Sequence, residues 1–99
     1  MEYEITKMIT LSTAHISRET ANKLDIKTIY GVNFIPLPIY NKDGYGWFIC
    51  LSSYLKMLDE IELPEDLKAC CSLAKENDCE WLCLDCDGEI YPGIPTYDW

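Results

Sequence analysis

A chain of 99 residues with 17 acids against 8 lysines and arginines, net charge −9, has room for one domain with one core, and its charge disfavours direct contact with nucleic-acid backbones or anionic membranes. No stretch reaches the roughly 18 apolar residues that span a bilayer. The opening residues Met1 to Lys7 lack the basic and apolar regions of a secretory leader, so a cytoplasmic protein is expected and the six cysteines read as small hydrophobes, not a disulfide framework.

Tyr3 to Leu11 alternates, with Tyr3, Ile5, Ile9 and Leu11 on one parity, and predicts a half-buried strand. Ser17 reads as an N-cap, Glu19 lies in the first turn, and Ile16 with Ala21 fits a hydrophobic staple, so a short helix is expected over about Arg18 to Leu24. Ile29 to Tyr40 reads as a second extended segment, confined to an edge or irregular at its end by Pro36 and Pro38. Asn41-Lys42-Asp43-Gly44 is a hairpin turn. Gly46 to Leu51 is apolar on both parities, as in a central strand covered on both faces or on one face plus the tail. A helical turn is expected over Tyr54 to Leu58.

Pro64 at the first helical position, with Glu65 and Asp66 behind it, opens a second helix. Leu67, Cys70, Cys71 and Ala74 keep the spacing of one buried face, and Asn77 suits the C-cap. The apolar run from Trp81 to Leu84 is too short for a helix and reads as a buried strand, stopped by Asp87-Gly88. The order β-α-β-β-α-β predicts a single α+β domain over residues 1–99, of ferredoxin-like (split βαβ) type. Its sheet is expected to be antiparallel, with both helices on one face. Residues 88–99 carry Tyr91, Pro92, Tyr97 and Trp99 and are expected to be an ordered tail packed back on the domain, since disordered tails are usually poor in aromatics.

Charge is unevenly spread. Residues 1–58 hold five acids and six bases; residues 59–99 hold twelve acids and two bases, Lys68 and Lys75. Such a field favours a basic partner. The plainer reading is solubility.

Asp85-Cys86-Asp87-Gly88 after an apolar strand resembles the first motif of haloacid-dehalogenase-type phosphatases, in which the first Asp is a nucleophile, the second an acid/base, and the pair holds Mg²⁺. Few residues follow it, and none completes such a site, so an acidic β-turn is the simpler reading. Cys83 and Cys86 with Cys79 and His15 make a poor zinc set, because positions 83 and 86 of a strand point to opposite faces. No metal or other cofactor is expected. His15, the one histidine, has no partner in a catalytic order and reads as a capping or packing residue.

Several segments together resemble a family of small uncharacterised bacterial proteins. They are Ser12-Thr13-Ala14-His15-Ile16 with Glu19-Thr20-Ala21, Gly46-Trp47-Phe48-Ile49, Leu63-Pro64-Glu65-Asp66-Leu67, Trp81-Leu82-x-Leu84-Asp85-x-Asp87-Gly88, and the closing Pro95-Thr96-Tyr97-Asp98-Trp99. The resemblance implies no activity. It implies a setting: plasmids, conjugative elements and phages, where small acidic proteins often blunt restriction or CRISPR defences.

The expectation is a non-enzymatic inhibitor that binds the basic cleft of a host nucleic-acid-handling protein, of anti-CRISPR or anti-restriction type. Its contact surface would be Asp59, Glu60, Glu62, Glu65, Asp66, Glu76, Asp78, Glu80, Asp85, Asp87 and Glu89, with the aromatic tail Tyr91, Tyr97 and Trp99 as the alternative. Two other readings stand beside it: a Mg²⁺-dependent hydrolase at Asp85 and Asp87, and a regulatory homodimer formed through a sheet edge. Trp81 is expected in the core, and the acids Glu62, Glu65 and Asp66 are expected to be dispensable for folding.

Overall fold

The computed structural model describes residues 2–31 and 35–98. In chain order its elements are β1 (Met8–Ser12), a 3-10 turn (Thr13–His15), α1 (Arg18–Tyr30), β2 (Ile39–Asn41) and β3 (Gly46–Cys50). A second 3-10 turn (Leu55–Met57), α2 (Glu65–Glu76) and β4 (Trp81–Asp85) complete it.

The order of elements is the expected one, and the domain is α+β with two main helices and four strands. The pairing differs. The strands lie in the order β1-β4-β3-β2. β4 is antiparallel to β3 but parallel to β1, so the sheet is mixed and not antiparallel throughout. The cause lies between β3 and α2. In a split βαβ, the helix after β3 would return the chain in the direction of β3. Here residues 51–64, with Leu58 and Leu63 buried, first carry the chain back along the domain. α2 then leads through a tight turn, with Asp78 at φ 57°, into a strand that opposes β3.

Both helices pack on one face of this sheet. Leu11 of β1, Trp47 and Ile49 of β3, and Leu82 and Leu84 of β4 share that face. They form one core with Ala21 and Leu24 of α1 and with Leu67, Cys70, Cys71 and Ala74 of α2. The buried face of α2 is the one its spacing predicts. The opposite face carries Met8, Tyr40, Phe48 and Trp81 and has no second layer among the described residues. The tail does not cover it. Trp81 is therefore only half-buried, leaning on Tyr40 at 6.1 Å between ring centroids. The buried tryptophan is Trp47, 7% exposed.

Three boundaries move. β1 starts at Met8, and residues 2–7 are exposed without regular structure. Ser17 caps α1 as expected, its hydroxyl accepting from the Thr20 amide at 3.2 Å, but the helix runs on to Tyr30 and takes Ile29 and Tyr30 from the expected strand. What remains of that strand is Ile39–Asn41; its positions 32–34 lie outside the described residues. The Lys27 ammonium, on the last turns of α1, donates to the carbonyls of Ile35 and Leu37 and ties the following segment to the helix. Partial burial lowers its pKa from the ordinary lysine range.

Candidate functional site

β1 and β4 are parallel neighbours, and both end at the same edge of the domain, where α1 and α2 begin. Open α/β sheets gather their functional groups at such strand ends. His15, Asp66, Asp85, Cys86 and Asp87 lie at this edge.

His15 is 1% exposed, at the end of the turn that follows β1. Its Nε2 accepts the Tyr91 amide N–H at 2.9 Å, which leaves Nδ1 to donate to the Pro95 carbonyl, also at 2.9 Å. The Tyr97 amide donates to the Ala14 carbonyl at 2.8 Å, and the Ser12 amide to the Glu89 carbonyl at 2.9 Å. The histidine is thus a clamp for the tail, with neither nitrogen left for catalysis. The tail lies along α2, and between them runs a groove of 540 Å³ lined by Leu73 and Ile94 among others. Tyr91 and Tyr97 remain 36% and 38% exposed. Trp99 lies outside the described residues.

Asp85 ends β4 on the open face. Its Oδ2 accepts from the Lys42 ammonium, and its Oδ1 accepts the Asp87 amide at 2.8 Å, closing the turn. Hydrogen bonding to Lys42, and then to the Asp87 amide, holds the Asp85 carboxyl below the usual carboxylate range; the same bond to Asp85 raises Lys42. The ammonium also lies 5.5 Å from the Phe48 ring centroid and covers Cys83, Sγ at 3.7 Å. Gly88 is dictated by closeness, because a Cβ there would lie 2.6 Å from the Leu11 carbonyl oxygen. Asp85, Cys86 and Asp87 do present three ligand-type atoms within 4.8 Å of one another. A cation held there would have to displace Lys42 from Asp85.

Asp66 faces inward, at the first turn of α2. Its Oδ2 accepts the Ser17 amide at 2.7 Å and its Oδ1 accepts the Thr20 hydroxyl at 2.8 Å and the Leu67 amide at 2.9 Å. It pins the start of α1 to the start of α2. Asp66 is therefore a structural residue, which corrects the expectation that it belongs to a dispensable acidic surface.

The other acids lie outside. Asp59, Glu60, Glu62, Glu65, Glu76, Asp78, Asp87 and Glu89 are exposed and Glu80 is half-buried. None of these carboxylates makes a hydrogen bond or ion pair among the described residues, where the ion pairs are Lys23–Glu19 and Lys42–Asp85. They form two groups. Glu62, Glu65, Asp87 and Glu89 lie by the shared end of β4 and start of α2, and Asp59 and Glu60 precede them on the loop into α2; Glu76, Asp78 and Glu80 mark the opposite end, where α2 turns into β4.

Cys70 and Cys71 are fully buried, and desolvation pushes both thiols up to about 12, with the Asp66 charge adding to Cys70 and Cys70 itself adding to Cys71. They are packing residues. Cys86 is the exposed cysteine among the six, all of them free.

This edge carries a second feature, with no local signature in the sequence. A cleft of 280 Å³ opens between α1, the β2–β3 turn and the ends of β1 and β4, lined by Thr13, Asp25, Asn41, Tyr45, Trp47 and Cys86, with the backbone of Gly44 and Gly46. Asp25 Oδ1 accepts the Trp47 indole N–H at 3.2 Å. Nothing local marks Asp25, because its partner lies in a different element.

The family model described as "Family of unknown function (DUF5983) C-terminal domain" matches residues 8–99. No curated protein matches the chain. No solved structure matches it.

Proposed function

The chain belongs to this DUF5983 family, a membership that brings no activity with it, and we propose that it is a non-enzymatic acidic protein that binds a basic, nucleic-acid-handling partner and occupies the cleft built for phosphates. In its finer form the proposal places the protein on mobile genetic elements and makes the partner a host restriction or CRISPR nuclease. The observation that carries it is the set of exposed carboxylates around the start of α2 and the end of β4, none of which forms an ion pair among the described residues. A folded protein that used such charges internally would pair them. Left unpaired on a rigid scaffold, they present a field like that of a phosphate backbone to a basic cleft. The hydrolase reading is weakened by the engagement of both Asp85 oxygens, and the histidine offers no base.

The test is capture from lysates of bacteria that carry restriction and CRISPR nucleases, followed by kinetics on the captured protein. Association should fall steeply with ionic strength while dissociation changes little. Changing Asp59→Asn, Glu62→Gln and Glu65→Gln together should slow association and leave the fold intact; Asp66 is kept out of the set because it is structural. DNA should compete, and the captured nuclease should lose activity. A partner bound with no salt dependence, unaffected by the triple change, would move the interface to the tyrosines of the tail and defeat the proposal.

A further inference from the structure

We propose that the cleft lined by Asp25, Tyr45 and Trp47 receives an arginine side chain of that partner. The inference rests on the basic-partner reading and names a specific contact for it. Four observations converge on the cleft. Asp25 gives only one of its two carboxylate oxygens to Trp47; Oδ2 has no partner among the described residues. None of the lining side chains is basic: Lys42, next to Asn41, is drawn to the other face of the sheet by Asp85, and of the lysines two residues from Asp25, Lys27 donates to the Ile35 and Leu37 carbonyls and Lys23 pairs with Glu19. Tyr45 lines the cleft and is 56% exposed. Asp43 and Asp87, both exposed, adjoin the lining residues Gly44 and Cys86 in the chain and add negative charge to the surroundings.

The chemistry of that lining selects among ligands. An anion finds no cationic donor. A metal ion finds one free carboxylate oxygen among neutral groups, too few hard ligands for Ca²⁺ or Mg²⁺. A guanidinium fits both walls at once. It is planar and weakly hydrated, so it stacks on an aromatic ring while its N–H groups donate sideways to a carboxylate. An ammonium satisfies the carboxylate but remains strongly hydrated and gains less from the ring. Arginine is also a residue that nucleic-acid-binding surfaces use for phosphate, so a partner with a phosphate cleft carries the required side chain.

The experiment uses the full chain, isotopically labelled, titrated at low salt with N-acetyl-arginine N-methylamide and, separately, with the lysine and norleucine equivalents. The arginine derivative should give saturable shifts of the Trp47 indole N–H and of the amides of Asp25 and Tyr45. The lysine derivative should bind more weakly and norleucine not at all. Asp25→Asn keeps an oxygen for the Trp47 indole, so the fold is retained and the spectrum verifies it. The variant removes only the charge and should weaken arginine binding about tenfold, as expected for loss of a charge-assisted bond. Absence of saturable shifts at these residues, equal binding of norleucine, or unchanged affinity in Asp25→Asn would overturn the inference. Any of those results would leave the salt dependence of partner capture, and so the reading of the acids, standing. Salt-independent capture would instead defeat that reading while the arginine titration remained a separate result.

Discussion

Each side of the sheet carries a tryptophan and a bonded aspartate, and the two sets are held differently. On the helix side Trp47 is 7% exposed and Asp66 accepts from three donors contributed by the starts of α1 and α2. On the open side Trp81 is half-buried against Tyr40, and Asp85 meets one flexible lysine and the amide of its own turn. Residue type is the same; the difference lies in how many other elements converge on the residue. A side chain enclosed by several elements is part of the fold. One at the open face or rim is available for contact.

That contrast can be broken by substitution, beginning where the effect is largest. Trp47→Ala should cost about 3–5 kcal/mol, as for a large aromatic removed from a core, read from the urea midpoint. Asp66→Ala should cost about 2–3 kcal/mol, because the Ser17 amide and the Thr20 hydroxyl lose a charged acceptor. A loss in Asp66→Ala no greater than in Glu65→Ala would end the distinction between structural and surface acids. Trp81→Ala should cost about 1–2 kcal/mol, within the range of ordinary substitutions outside a core. A loss equal to that of Trp47→Ala would mean the open face is as stabilising as the covered one.

The Lys42–Asp85 pair sharpens the comparison through pH. Asp85 is lowered, so its contribution is full above the unfolded carboxylate value of about 3.9 and is lost as pH falls through the lower folded value. Lys42 is raised, so its contribution is full below about 10.4 and is lost as pH rises through the higher folded value. Asp85→Asn should therefore lower the urea midpoint at neutral pH, and the gap from the parent protein should close in strong acid. Smallest of all, Glu76→Gln, Asp78→Asn and Glu80→Gln should each stay within about 0.5 kcal/mol of the parent, because these carboxylates touch nothing that folding needs.

The parts of the fold legible in the sequence were those with a local period or a local turn. α2 announces its buried face through Leu67, Cys70, Cys71 and Ala74, the hairpin announces itself through Asn41 to Gly44, and β4 stands out as an apolar run with a turn behind it. The end of α1 was hidden because Ile26, Thr28 and Ile29 are β-branched and favour a strand by propensity, while the contact that holds the region, Lys27 on the carbonyls of residues 35 and 37, is tertiary. The parallel pairing of β1 with β4 was hidden for the same reason. No local signal reports an extra crossing of residues 51–64.

At the candidate site the difference is sharper still. Glu65 and Asp66 look alike in a helix first turn, and only Ser17 and Thr20, far upstream, decide that one is hydrogen-bonded into the fold and the other exposed. His15 could be read as a packing residue, but its role as tail clamp depends on Tyr91 and Pro95 at the other end of the chain.

The place of β4 between β1 and β3 has a consequence for biosynthesis. β1 is made first, yet its neighbour in the sheet is the last strand to be made. Until Trp81 to Asp85 emerges, β1 has no ladder to join and the helix-side core lacks Leu82 and Leu84. Before then the apolar positions of β1 and of the two helices lack part of their final cover. A ribosome that stops short of β4 then releases a chain that cannot close its sheet, and the cell can discard the fragment before a half-formed product accumulates.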